Sequence, residues 1–126
     1  MSNIILIMFR KAIVQGLIDR LNTNKDINLI YEPNYDKANI SICAHHADIV
    51  IIEAEEKGPF DMEFCLKLCH QLRSDIPKSK LLLMCSEHDD SSVKKVVDAK
   101  WSKQIDDFVF YDVTSDYLVS KLISMQ

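Results

Sequence analysis

The sequence predicts a doubly wound α/β fold, a five-stranded parallel sheet with helices on both faces. Three observations carry this. Five short apolar runs, residues 4–7, 27–30, 49–52, 81–84 and 108–110, are spread along the chain. Each is followed by a stretch whose apolar residues recur at helical spacing. The length, 126 residues, suits one well-buried core and not two. In a sheet of this kind, chemistry sits beyond the carboxyl ends of the strands. Those ends read Met8-Phe9, Glu53-Ala54, Cys85-Ser86 and Tyr111-Asp112.

The elements follow in order. Residues 10–22 carry Ala12, Ile13, Leu17, Ile18 and Leu21 as one helical stripe. A polar break at residues 22–26 leads to the second strand, and Glu32-Pro33-Asn34 is a turn, since proline cannot continue a ladder. Residues 35–46 read as a shorter second helix. The third strand runs into Glu55-Glu56-Lys57-Gly58-Pro59, a charged loop with a strong turn dipeptide. Residues 60–73 form the third helix, with Phe64, Leu68 and Leu72 on one face and Met62, Cys65 and Cys69 beside them. After the fourth strand, His88-Asp89-Asp90-Ser91 can cap a helix reaching to about Lys103 and carrying Val93, Val96, Val97 and Trp101. Thr114-Ser115-Asp116 caps a last helix that ends near Met125.

Composition narrows the classes. The chain is 48% hydrophobic and 27% charged, with a net charge of −4 and a pI of 5.5, which is globular and offers no general nucleic-acid surface. No apolar run approaches the roughly 20 residues that span a bilayer. The amino terminus lacks the basic start and cleavage motif of a signal peptide. A cytoplasmic protein without membrane contact is expected. Cys43, Cys65, Cys69 and Cys85 show no C-x-x-C spacing and read as small core hydrophobes, not disulfides.

Catalytic groups are missing from the expected places. A cofactor binder on this scaffold needs a glycine-rich phosphate loop after the first strand. Met8-Phe9-Arg10-Lys11-Ala12 is not one, and the whole chain has two glycines. A nucleophile elbow is also absent. Cys43, His45 and His46 near Asp48 match no zinc spacing, and His70 faces away from Cys65 and Cys69. No catalytic residue, metal or cofactor is expected.

Residues 10–17 followed by Leu21, residues 48–52 followed by Gly58-Pro59-Phe60-Asp61-Met62-Glu63, and residues 107–112 followed by Thr114-Ser115-Asp116-Tyr117-Leu118 carry a resemblance. With the five-fold strand–helix order, they resemble the receiver domain of two-component response regulators, a CheY-like, flavodoxin-like fold. The likeness is to the NarL type, in which a receiver precedes a helix-turn-helix domain. It covers residues 1–126 as one receiver-like domain. The stop directly after the last helix leads us to expect the amino-terminal part of a longer regulator, with DNA contact only through that further domain.

The resemblance also implies a phosphorylation site that these residues do not supply. Such receivers use two acids after the first strand, an aspartate ending the third, a hydroxyl ending the fourth and a lysine ending the fifth. Here those positions hold Met8 and Phe9, Glu53, Cys85 (with Ser86 next) and Tyr111. A hard cation gains nothing from a thioether and a phenyl ring. The resemblance therefore implies a degenerate receiver, a pseudo-receiver, with Met8 and Phe9 plugging the emptied pocket. Glu53 is then either a fixed phosphomimetic charge or a strand-end carboxylate paired with Arg10 or Lys11, the pair replacing the metal.

The fourth helix region is longer than the resemblance leads one to expect and lacks its terminal glycine, which points to a longer or re-routed helix. Trp101 is expected to pack beneath that helix, with an exposed interface anchor as the alternative. Lys94, Lys100, Trp101, Asp106, Asp107, Phe110 and Tyr117 form a candidate surface for a protein partner or a homodimer. Two other readings stay open: a stand-alone flavodoxin-like enzyme or cofactor binder, and a receiver phosphorylated at a displaced carboxylate, Glu55, Glu56 or Asp61.

Overall fold

A computed structural model describes residues 1–126. Its strands are β1 (Ser2–Ile7), β2 (Ile27–Tyr31), β3 (Ile49–Glu53), β4 (Lys80–Cys85) and β5 (Asp107–Phe110). They make one sheet in the order β2-β1-β3-β4-β5, and every pairing is parallel. The helices are α1 (Lys11–Leu21), α2 (Ala38–Ala44), α3 (Met62–Asp75), α4 (Asp90–Trp101) and α5 (Ser115–Ser124). The expected doubly wound architecture is the one observed.

Alternation along the strands divides the core into two layers. Ile5 and Ile7, Val50 and Ile52, and Leu81, Leu83 and Cys85 join the layer under α2, α3 and α4. Ile4, Leu6 and Met8, Ile49 and Ile51, and Leu82 and Met84 join the layer with Val14, Leu17 and Leu21 of α1 and Leu118 and Leu122 of α5. Residues 49–53 are buried without a break, as an interior strand covered on both faces requires.

The helix boundaries depart from the sequence pattern where polar caps decide them. The Asp61 side chain accepts from the Phe64 backbone N–H, so α3 starts at Met62, and Phe60 stacks on Tyr35 at 4.5 Å instead of entering the helix. The buried stripe of α3 is Met62, Cys65, Cys69 and Leu72, with Phe64 and Leu68 on its margin. The second helix is a short 3-10 turn at Tyr35–Lys37 followed by α2, which stops at Ala44. Cys65, Cys69 and Cys85 are buried free thiols, while Cys43 is exposed and is not a core residue.

Two expectations for α4 are corrected. The helix ends at Trp101 and is not prolonged to Lys103. Lys103 takes φ +64, and the Gln104 N–H returns to the Ala99 carbonyl, so a lysine performs the left-handed reversal that glycine usually performs. Trp101 does not pack beneath the helix; it is 82% exposed. The left-handed conformation strains a residue with a Cβ, and glycine relieves that strain at some entropic cost in the unfolded chain. Lys103→Gly is expected to stabilise the fold by about 0.5–1 kcal/mol. Urea unfolding should show a higher midpoint at an unchanged slope.

Candidate functional site

The carboxyl ends of β1, β3, β4 and β5 converge, as the parallel topology dictates. Glu53, last residue of β3, shares the strand face of Ile49 and Ile51 and points towards the amino end of α1. It has no exposed surface. Its Oε1 accepts from the backbone N–H groups of Phe9 and Arg10, each at 3.1 Å. Its Oε2 lies 2.8 Å from Arg10 Nε, too far off line to count as a hydrogen bond. A negative charge here also suits the positive end of the helix dipole.

The cation is Arg10; Lys11 is exposed and makes no ion pair with Glu53. The Arg10 guanidinium also lies over the Tyr111 ring at 3.7 Å from its centroid, a contact that a lysine at position 111 could not provide. Met8 is buried in the layer beneath. Phe9 is not part of the plug: it is 41% exposed, because the loop turns its ring outward while using its N–H on Glu53. From the other side, the Tyr35 hydroxyl donates to the Glu53 carbonyl. Nothing in the sequence around Tyr35 marked it for this site.

Burial dominates the electrostatics. Desolvation pushes the Glu53 carboxyl above its ordinary value, against the two backbone N–H groups and Arg10, which pull it down. The Tyr111 phenol is raised by burial and by the charge of Glu53, and its hydroxyl has no partner. Burial lifts the Cys85 thiol to about 11 and the Cys69 thiol to about 12, so neither is a thiolate nucleophile at neutral pH. The Ser86 hydroxyl is buried and accepts from the His88 N–H.

The magnesium ion that the fold implies does not fit this donor set. Met8 and Phe9 offer no oxygen, and the buried carboxylate of Glu53 already holds two N–H groups and a guanidinium. No group of three or more His, Cys, Asp or Glu side chains is placed to hold a metal. Two of the displaced carboxylates are also occupied. Glu55 accepts from the Phe60 N–H at 3.3 Å, and Asp61 caps α3; Glu56 stays exposed.

On the α4–β5–α5 side, the aspartates mostly serve the chain itself. Asp107 binds Lys100 of α4 at 3.0 Å and, more closely, Lys121 of α5. Asp106 pairs with Arg73 at 3.0 Å and accepts from the Leu81 N–H. Phe110 packs edge-on against Phe108 and is half-buried. Lys94, Trp101 and Tyr117 remain exposed. Lys121 and Arg73 escaped the sequence reading, because their partners lie on other elements with no spacing rule to connect them.

No family model and no curated protein matches the chain. Solved structures do match over nearly their whole length. The amino-terminal domain of the nisin resistance regulator NsrR, a lantibiotic response regulator, is 18% identical with a TM-score of 0.78, covering 98% of this chain and 97% of that one. A response regulator from Thermotoga maritima is 18% identical at TM-score 0.76, covering 98% and 96%. A CheY-like protein, TadZ from Pseudomonas aeruginosa, is 13% identical at 0.73, covering both chains completely. The chain therefore has the flavodoxin-like, CheY-like fold of response-regulator receiver domains.

Removing Arg10 leaves a buried carboxylate without a cation. Because the Arg10 side chain is 41% exposed, solvent screening reduces the usual cost. Arg10→Ala is expected to destabilise by about 1–3 kcal/mol at neutral pH. The sign with pH follows from the raised carboxyl. A folded value above the unfolded 4.5 means the native state binds the proton more tightly. Stability from that proton is complete below 4.5 and is lost as pH rises through the folded value. Unfolding curves should therefore show the cost of Arg10→Ala shrinking as Glu53 protonates.

Proposed function

We propose that this chain is a receiver-fold signalling module that works without aspartyl phosphorylation, a non-enzymatic pseudo-receiver acting through protein contact. The observation that carries the reading is the closed Arg10–Glu53 pair. A phosphoacceptor must present a carboxylate oxygen to the donor, with a metal and a lysine to spread the charge of the transition state. Glu53 presents no surface, and its neighbours are Phe9, Arg10, Tyr35 and Tyr111. The Arg10 ion pair and the two backbone N–H groups favour its charged form against the desolvation that opposes it, and a carboxylate held this way suits a phosphomimetic-like state.

The resemblance to NarL-type receivers, carried by residues 10–17, 48–52, 58–63 and 107–118, supports an output that regulates transcription in the cytoplasm, with DNA contact made by a separate domain. The acidic balance of this unit, −4, is consistent with that division. Incubation with acetyl phosphate and Mg²⁺, followed by intact mass, should show no added phosphate. A stoichiometric, labile adduct would overturn the reading.

The partner surface in this reading is the face of α4, β5 and α5, where Trp101 stands free among lysines. A large exposed aromatic within a charged rim is the composition of a specific contact. The same patch can meet its own copy about a two-fold axis, giving a homodimer that needs no phosphorylation. Since Asp106 and Asp107 are engaged within the chain, Trp101 supplies most of that contact and Lys94 tunes it. Sedimentation should show self-association lost in Trp101→Asp and weakened in Lys94→Glu and at high salt. A wild type that stays monomeric at high concentration and low salt would assign the face to a different protein.

A further inference from the structure

We propose that Glu53, Arg10 and Tyr111 form a proton-operated latch. A proton gained by Glu53 frees the Arg10 side chain from β3 and loosens its stack on Tyr111, at the root of the face made by α4, β5 and α5. The inference rests on the reading of Glu53 as a charge that is never phosphorylated.

Three geometric facts carry it. First, Glu53 is fully buried, and its only ion pair is with Arg10, through an oxygen that makes no hydrogen bond. Neutralising the carboxyl thus removes most of what holds the guanidinium inward. Second, the same guanidinium lies at 3.7 Å from the centre of the Tyr111 ring, so its departure uncovers the residue that follows β5. Third, a destination exists. Arg10 lines a cleft of about 250 Å³ with Glu56, Glu87 and Asp112, three exposed carboxylates that a released cation can join. A side chain with two sets of partners has two discrete positions, which a switch requires.

The groups around Glu53 favour this. From the first loop comes Arg10; from the 3-10 turn, Tyr35; from the loop after β3, Glu55, Glu56 and Lys57; from α3, Cys65; from β4, Cys85; from β5 onward, Tyr111 and Asp112. Glu87 and His88 face Arg10 across the cleft. Arg10 is the one cation paired with the buried carboxyl, while Glu55 adds a like charge that favours its protonation. The neighbouring Asp112 raises the Glu87 carboxyl, so the titration of Glu87 must be separated from that of Glu53.

The test is an NMR titration of the labelled full chain between about pH 4 and pH 8. It follows the Glu53 carboxyl carbon, the Arg10 Nε–H and the Tyr111 ring. All three are expected to shift together, with one midpoint above 4.5. Glu53→Gln should hold Arg10 and Tyr111 at their low-pH positions throughout. Arg10→Gln should move the Glu53 midpoint upward. A Glu53 midpoint at or below 4.5 would overturn the latch. So would a Glu53 titration that leaves Arg10 and Tyr111 unmoved, or shifts that persist in Glu53→Gln and so arise from Glu87. No phosphodonor enters this experiment, so its failure leaves the phosphorylation result untouched, and a phosphate adduct is read independently of it.

Discussion

A charge buried without exposed surface sets the terms for everything at the carboxyl end of this sheet. Taking a carboxylate out of water costs several kcal/mol, and one partly exposed guanidinium does not repay all of it. The protein offsets the rest with backbone. Phe9 and Arg10 turn their N–H groups onto Glu53, which fixes the path of the chain from β1 into α1. Met8 then goes down into the core and Phe9 goes outward. Tyr35 approaches from the opposite edge and fastens the Glu53 carbonyl. Residues from two separate connections thus owe their positions to one residue, Glu53.

Such a pair adds little net stability, since a well-packed apolar pair of similar volume is often as stable or more so. What it provides is register. An apolar residue at position 53 would not specify which way the first loop turns, whereas an acceptor with two N–H donors and one cation allows few arrangements. In the receiver fold, the equivalent place is where phosphoryl chemistry would be carried out. Here the same strand ends hold a loop, and the groups at this end of the sheet include a buried thioether, a guanidinium and a phenol ring.

The fold was legible because its determinants are periodic. Residues 49–52 and 81–84 are apolar through and through, and the stripes of α1 and α5 repeat at helical spacing, so order and layering followed directly. Element ends were less legible. Asp61 looked like part of a helix and proved to be its cap, and Lys103 adopted a conformation that residue type does not advertise. At the site, Arg10 could be named as a partner for Glu53 from its nearness to β1, but its choice over Lys11 depends on which side of the loop faces inward. Tyr35, Arg73 and Lys121 could not be found, because each acts across a distance in sequence that only the packed structure closes. Trp101 departs from expectation for a simple reason: an aromatic in an amphipathic helix usually packs, but this one follows Ala99 by two residues, which turns it to the side of α4 away from the buried stripe of Ser92, Val96 and Ala99.

That placement of Trp101 makes the molecule a self-reporting one. The sole indole in the chain already stands in solvent, so its emission is that of a hydrated ring in the native state and changes little when the chain unfolds. Light from this residue carries almost no information about folding. It is, by the same token, sensitive to anything that covers the end of α4, and a blue shift on mixing marks contact at that place.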